Sequence, residues 1–192
     1  MVRVKDNAGV ERLAPLFYVG PTQVNYLIPI GTAAGLATVT ITNSVGKVSA
    51  GTAEIIAVAP GLFTANQDAA GAPAGFAIRV KANGEQSREP LYRFDPVRGK
   101  QIPAPIDLGP EGEVIILELY GTGIRGRSSQ AAVSASIGGV SAGIEYADKQ
   151  PGFFGLDHVN LRMPRSLIGR GEVDLVLTVE GKPANTVKLQ IK

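Results

Sequence analysis

Ala37-Thr38-Val39-Thr40-Ile41-Thr42 puts Val39 and Ile41 on one side of an extended chain and three threonines on the other. Successive side chains of a strand point to opposite faces, so this period of two predicts a half-buried β-strand, not an amphipathic helix. The same alternation recurs in both directions, in Ala77-Ile78-Arg79-Val80-Lys81, Val133-Ser134-Ala135-Ser136-Ile137 and Val187-Lys188-Leu189-Gln190-Ile191. Turn-forming residues or the chain terminus bound each run. Asn83-Gly84 has the composition of a type I′ hairpin turn. Val114-Ile115-Ile116-Leu117-Glu118-Leu119-Tyr120 is more continuously apolar, as expected of a strand covered on both sides or central in a sandwich. With 24 Gly and 13 Pro scattered among 192 residues, long helices have little room and many short strands follow.

Comparing the chain with itself gives the domain organisation. Val24-Asn25-Tyr26-Leu27-Ile28-Pro29 matches Val159-Asn160-Leu161-Arg162-Met163-Pro164, and glycines follow both (Gly31 and Gly35; Gly169 and Gly171). The strands Ala37 to Thr42 and Val173 to Thr178 then correspond. Upstream, Leu16-Phe17-Tyr18 parallels Ile144-Glu145-Tyr146; downstream, Gly46 parallels Gly181. The order predicts two copies of one unit, hence an all-β chain of two tandem immunoglobulin-like β-sandwiches joined by a β-hairpin and connector. The expected bounds are residues 1–73 for the first sandwich, 74–110 for the connector and 111–192 for the second. Before its Tyr146 the second copy has strands ending at Tyr120 and Ile137, whereas before Tyr18 the first has only Val2-Arg3-Val4. Three explanations stay open: a missing strand, a strand supplied from about Ala74 to Ile106, or a chain that begins inside a domain. An uncovered sheet edge of this kind invites aggregation or a partner, including a second copy of the chain as a homodimer.

Composition excludes several function classes. The 19 Lys and Arg against 17 Asp and Glu leave a net charge of +2, too small for a nucleic-acid or anionic-membrane surface. The absence of Cys excludes disulfides, thiolate metal sites and a cysteine nucleophile. No stretch approaches the ~20 apolar residues of a membrane helix, so no membrane insertion is expected. Met1 to Asn7 contain no apolar signal segment, so an export signal would lie outside this chain.

The motifs that might carry chemistry have plainer explanations. Gly121-Thr122-Gly123-Ile124-Arg125-Gly126 fits the G-x-G-x-x-G pattern, with Glu145 placed where a ribose-binding acid would stand. A nucleotide site needs a helix directly after the glycines, and this run leads instead to the strand at Val133. His158 is the only histidine and follows Asp157; neighbours on a strand diverge, and no second histidine completes a zinc site. Asp107, Glu111 and Glu113 cluster among Pro and Gly as a solvated loop does. No catalytic residue, cofactor or obligatory metal is assigned. Arg98 and Lys100, and Arg125 and Arg127, sit in basic glycine-containing loops that can grip an acidic polysaccharide or a partner's carboxylate. With His158 they are the candidate partner contacts. Tyr18, Tyr26 and Tyr146 are assigned to core edges.

The runs Ala14-Pro15-Leu16-Phe17-Tyr18-Val19-Gly20-Pro21-Thr22-Gln23-Val24-Asn25-Tyr26-Leu27-Ile28-Pro29, Ala59-Pro60-Gly61-Leu62-Phe63, Tyr120-Gly121-Thr122-Gly123-Ile124-Arg125 and Gly155-Leu156-Asp157-His158-Val159-Asn160 resemble an uncharacterised C-terminal domain family of large secreted bacterial proteins, chiefly acidobacterial. His158 stands where that family usually has Gln, and the family's usual opening strand before Val2 is missing. The second copy is also similar to the IPT/TIG class of immunoglobulin-like domains, through Gly121-Thr122-Gly123, Ile137-Gly138-Gly139, the Val159-to-Pro164 strand and Asn185. The resemblance implies an extracellular or cell-surface location and no established activity. The resulting expectation is a non-catalytic structural or adhesive module contacting other domains of its parent, another protein or extracellular polysaccharide. A carbohydrate-binding module is the alternative, favoured by exposed Tyr or Phe along one sheet face, and a hydrolase accessory domain comes third.

Overall fold

Each alternating run forms a strand in the computed structural model, which describes residues 1–192 and is all-β. The chain divides into two compact units, Met1–Ala57 and Val58–Lys192.

In the first unit, β1 (Val2–Lys5), β2 (Glu11–Leu13), β5 (Gly35–Thr42) and β6 (Val48–Ile55) form an antiparallel sheet in the order β2-β1-β5-β6. The remaining strands, β3 (Leu16–Val19) and β4 (Val24–Tyr26), pair only with each other. Val2, Val4, Ala37 and Val39 point inward and are buried, and Val24, Tyr26 and Ile28 pack half-buried against them. Asp6 organises the turn after β1. Its Oδ1 accepts the N–H groups of Ala8 and Val10, its Oδ2 accepts that of Ala33, and Arg12 completes a salt bridge at 2.5 Å. Hydrogen bonds to the ionised form, that from Ala33 foremost, lower its pKa from 3.8 to about 2.

The second unit contains β7 (Gly61–Leu62), β8 (Gly75–Val80), β9 (Gln86–Pro90), β10 (Tyr92–Asp95), β11 (Lys100–Pro103), β12 (Pro105–Ile106), β13 (Val114–Thr122), β14 (Val133–Ile137), β15 (Val140–Lys149), β16 (Asp157–Arg162), β17 (Gly171–Val179), β18 (Lys182–Pro183) and β19 (Val187–Ile191). One sheet runs β12-β19-β17-β14-β15-β16-β13-β8-β9, with β18 on β17 and β7 on β13, while β10 and β11 form a separate hairpin. The sheet curls into a half-barrel because β15 changes partner along its length. Val140 to Ala142 pair with β14, and Gly143 to Lys149 with β16. Leu117, Leu119, Leu161, Leu175 and Leu177, all 0 % exposed, fill its concave side.

Three details differ from the sequence reading. The units separate after Ala57, ahead of the expected bound at residue 73, because the intervening segment is tied to the second unit. Leu62 pairs with Gly121, and the Asn185 side chain bonds the backbone of Leu62 and Ala69. Residues 74–110 are likewise woven into that unit, with β8 hydrogen-bonded to β13, and so supply no strand to the first. Finally, the Asn83-Gly84 hairpin does not use a type I′ turn. Gly84 (φ +83°) takes the left-handed conformation while Asn83 stays at negative φ, and the Gly84 N–H bonds the Lys81 carbonyl. This is a type I turn closed by a left-handed glycine.

The internal repeat reappears in the pairing. In the first unit Leu16 faces Tyr26, a bulge follows, and Tyr18 and Val19 face Asn25 and Val24. In the second, Ile144 faces Leu161, the bulge recurs, and Tyr146 and Ala147 face Asn160 and Val159. β1 on β5 likewise matches β14 on β17. Gly31 and Gly169, at φ +79° and +77°, turn both chains after the matched strands.

The Asp6 carboxylate gives a prediction. Since its folded pKa of about 2 lies below the ordinary 3.8, the stabilisation it contributes is complete above the unfolded value and is lost as pH falls through the folded one. Asp6→Asn should lower the thermal midpoint of the first unit at pH 7. It should also flatten the decline in midpoint that the parent chain shows between about pH 4 and pH 2 in circular-dichroism melts.

Candidate functional site

The glycine-rich loop after β13 does hold an anion, but the anion belongs to the chain. Asp157, 1 % exposed, accepts the N–H groups of Ile124 and Arg125 on Oδ2 at 2.8 and 3.2 Å and the Arg125 Nε on Oδ1 at 2.5 Å. Arg125 also reaches the Leu156 carbonyl at 2.7 Å. No helix follows; a short 3-10 turn (Gln130–Ala132) leads into β14. Gly123 is required by crowding and conformation together, because its φ is +71° and a Cβ would lie 2.0 Å from the Ala59 carbonyl oxygen. Arg127, 3.1 Å from Asp148, is also drawn inward, its side chain 13 % exposed. Two of the five candidate contact residues are therefore committed to internal ion pairs.

His158 lies on the opposite face of β16 from Asp157, as strand geometry requires. That face continues across β9, β8, β13, β16 and β15, where registry sets Tyr120 beside His158, Glu118 beside Asn160 and Asn160 beside Tyr146. The Tyr120 hydroxyl donates to Glu118 Oε1 at 2.7 Å, and Arg88 donates to Glu118 Oε2 and to the Tyr120 oxygen at 3.0 and 2.7 Å. Burial, then the hydrogen bond to Glu118, raises the Tyr120 pKa, so the phenol stays a neutral donor. The ring faces are occupied. The Arg88 guanidinium lies 3.6 Å from the Phe76 ring centre, and the imidazole of His158 stacks on Tyr146 at 4.4 Å. A sugar ring stacking here would have to displace one of these contacts. His158 Nδ1 and Asn160 Oδ1 are buried without a hydrogen-bond partner, and desolvation lowers the His158 pKa against the pull of Glu118 and Asp157.

Arg98 and Lys100 come together in a cleft of about 580 Å³, which also gathers Arg93, Lys188, Asp68 and Glu172. Arg98 is shared with Asp95 at 3.4 Å and Lys188 with Asp174 at 2.5 Å. Topology assembles this group, since the β10–β11 hairpin, the loop around Asp68 and the adjacent strands β17 and β19 meet here. No local pattern around Arg93 or Lys188 could have signalled it. Of the acidic loop residues, Glu113 is not solvated, because it pairs with the equally enclosed Arg79 at 2.8 Å; the exposed Asp107 carboxylate accepts the Gly109 N–H at 2.9 Å.

The first unit presents an apolar strand to solvent. Leu16, Phe17, Tyr18 and Val19 are 41, 56, 51 and 66 % exposed. Tyr18 is thus not a core-edge residue, because no strand or layer covers β3; Tyr26, half-buried, does pack against the core. No protein-family model, curated protein or solved structure matches the chain.

Two outcomes follow. Arg125→Met should cost about 2 kcal/mol in denaturant unfolding of the second unit: the scale for a broken buried pair, reduced because Arg125 is partly solvated. A base whose folded pKa is depressed binds protons better when unfolded, so His158 should remove stability as pH falls through its ordinary value of 6.5. His158→Gln should abolish that component in thermal melts between about pH 7.5 and 5.5.

Proposed function

We propose that this chain is a non-catalytic structural or adhesive module of a larger secreted bacterial protein, made of two immunoglobulin-like sandwiches copied from one ancestor. The observation that carries this reading is the exposed apolar strand Leu16 to Val19; in the second copy the matched apolar residues Ile144, Tyr146 and Ala147 are half-buried or buried, and the exposed position is taken by Glu145. Monomeric proteins seldom leave such a run uncovered, and those that do use it for contact. The matched bulges support the common origin, and the family resemblance supports an extracellular or cell-surface setting. Light scattering across a concentration series tests the proposal. Mass should rise with concentration, and Phe17→Ser with Val19→Ser should return it to the monomer value with an unchanged circular-dichroism spectrum. A chain that stays monomeric throughout overturns the reading.

The cleft favours a second reading, recognition of acidic polysaccharide, because Arg93, Arg98, Lys100 and Lys188 outnumber Asp68 and Glu172 there. On that reading Arg93→Ala with Lys100→Ala weakens retention on immobilised polygalacturonate several-fold and leaves retention on neutral dextran unchanged. Equal retention of variant and parent on the acidic polymer rejects it.

A further inference from the structure

We infer that the open edge of β4 is an acceptor for one antiparallel strand of polypeptide from outside residues 1–192, with the apolar alternation of β13. The inference deepens the assembly reading above and rests on the equivalence of the two copies. That equivalence identifies the occupant. β4 and β16 sit in the same register on their inner neighbours, with the same bulge. The outer edge of β16 is filled by β13, Leu119 facing Val159 and Leu117 facing Leu161; the outer edge of β4 has no strand. Transferred to the first unit, these pairs set apolar residues of the incoming strand opposite Val24 and Tyr26.

Burial records the vacancy. Val159, Leu161 and Met163 are 0, 0 and 4 % exposed, whereas their counterparts Val24, Tyr26 and Ile28 are only half-buried. Backbone directions agree as well. The Gln23 carbonyl accepts the Gly20 N–H and the Leu27 N–H donates to the Pro15 carbonyl, so alternation turns the N–H and C=O of Val24 and Tyr26 outward. In the second unit the Met163 N–H, at the position of Ile28, donates to Ile115 of β13. An extended peptide adding here gains main-chain hydrogen bonds from the edge and specificity from alternate side chains.

A fluorescent peptide with the sequence Val114 to Thr122, flanked by lysines for solubility, serves as the probe for the intact chain. It should bind one to one by anisotropy, raise the thermal midpoint and return any self-associated chain to monomer mass. Val24→Pro removes an outward N–H without touching the bonds to β3, a position where an edge strand tolerates proline, and should weaken binding about tenfold. Independently of how that variant folds, a peptide carrying Leu117→Asp and Leu119→Asp should not bind the unaltered chain. Equal binding to the parent and Val24→Pro chains places the peptide elsewhere and overturns the inference. A chain that self-associates but ignores the peptide overturns it while leaving the assembly reading intact. A chain that does neither overturns both.

Discussion

The structure depends on pairing at both edges of β13. On one side it bonds β16, on the other β8 and β7 in succession, and its inward residues Ile115, Leu117 and Leu119 stand in the core of the second unit. A strand so placed has no unsatisfied backbone, and its apolar face meets others instead of water. The glycine-rich turn that follows it then closes over Asp157, whose carboxylate fastens β16 to the loop. The segment after Ala57 is drawn into the same unit by its pairing with the end of β13.

The first unit shows what the same strand arrangement becomes without that partner. Its core is small, with five buried apolar residues, and at 57 residues it lies near the lower limit at which a chain buries enough surface to fold alone. Asp6 compensates locally, gathering three backbone N–H groups and Arg12 around a single carboxylate. The unit is thereby ordered while still presenting β3 and the edge of β4. A second, polar concentration of unused capacity lies in the cleft around Arg93 and Lys100. These features rest on different physics: the edge on backbone pairing and apolar burial, the cleft on charge.

The glycine-rich loop is the clearest case of chemistry that a motif suggests and packing redirects. Backbone N–H groups converge on a negative charge there, as they do in phosphate-binding turns. The charge is supplied by a strand about thirty residues further on, and Gly121 and Gly123 serve close approach of the Gly61 and Ala59 carbonyls. Likewise Arg125 and Arg127 are basic loop residues in sequence and internal ion-pair partners in the folded chain.

The sequence by itself determined the β class, the main strands and the order of the repeat, because alternation and turn residues act within a few positions of one another. The strands at Ala37, Ala77, Val133 and Val187 were legible for that reason. Only the tertiary structure decided where the units divide, that residues 74–110 serve the second of them, that Arg98 and Lys100 share a cleft with Arg93 and Lys188, and that Tyr18 faces water. Each of these depends on which strands lie side by side, a choice made by edges and faces from distant parts of the chain, and one that local alternation does not encode.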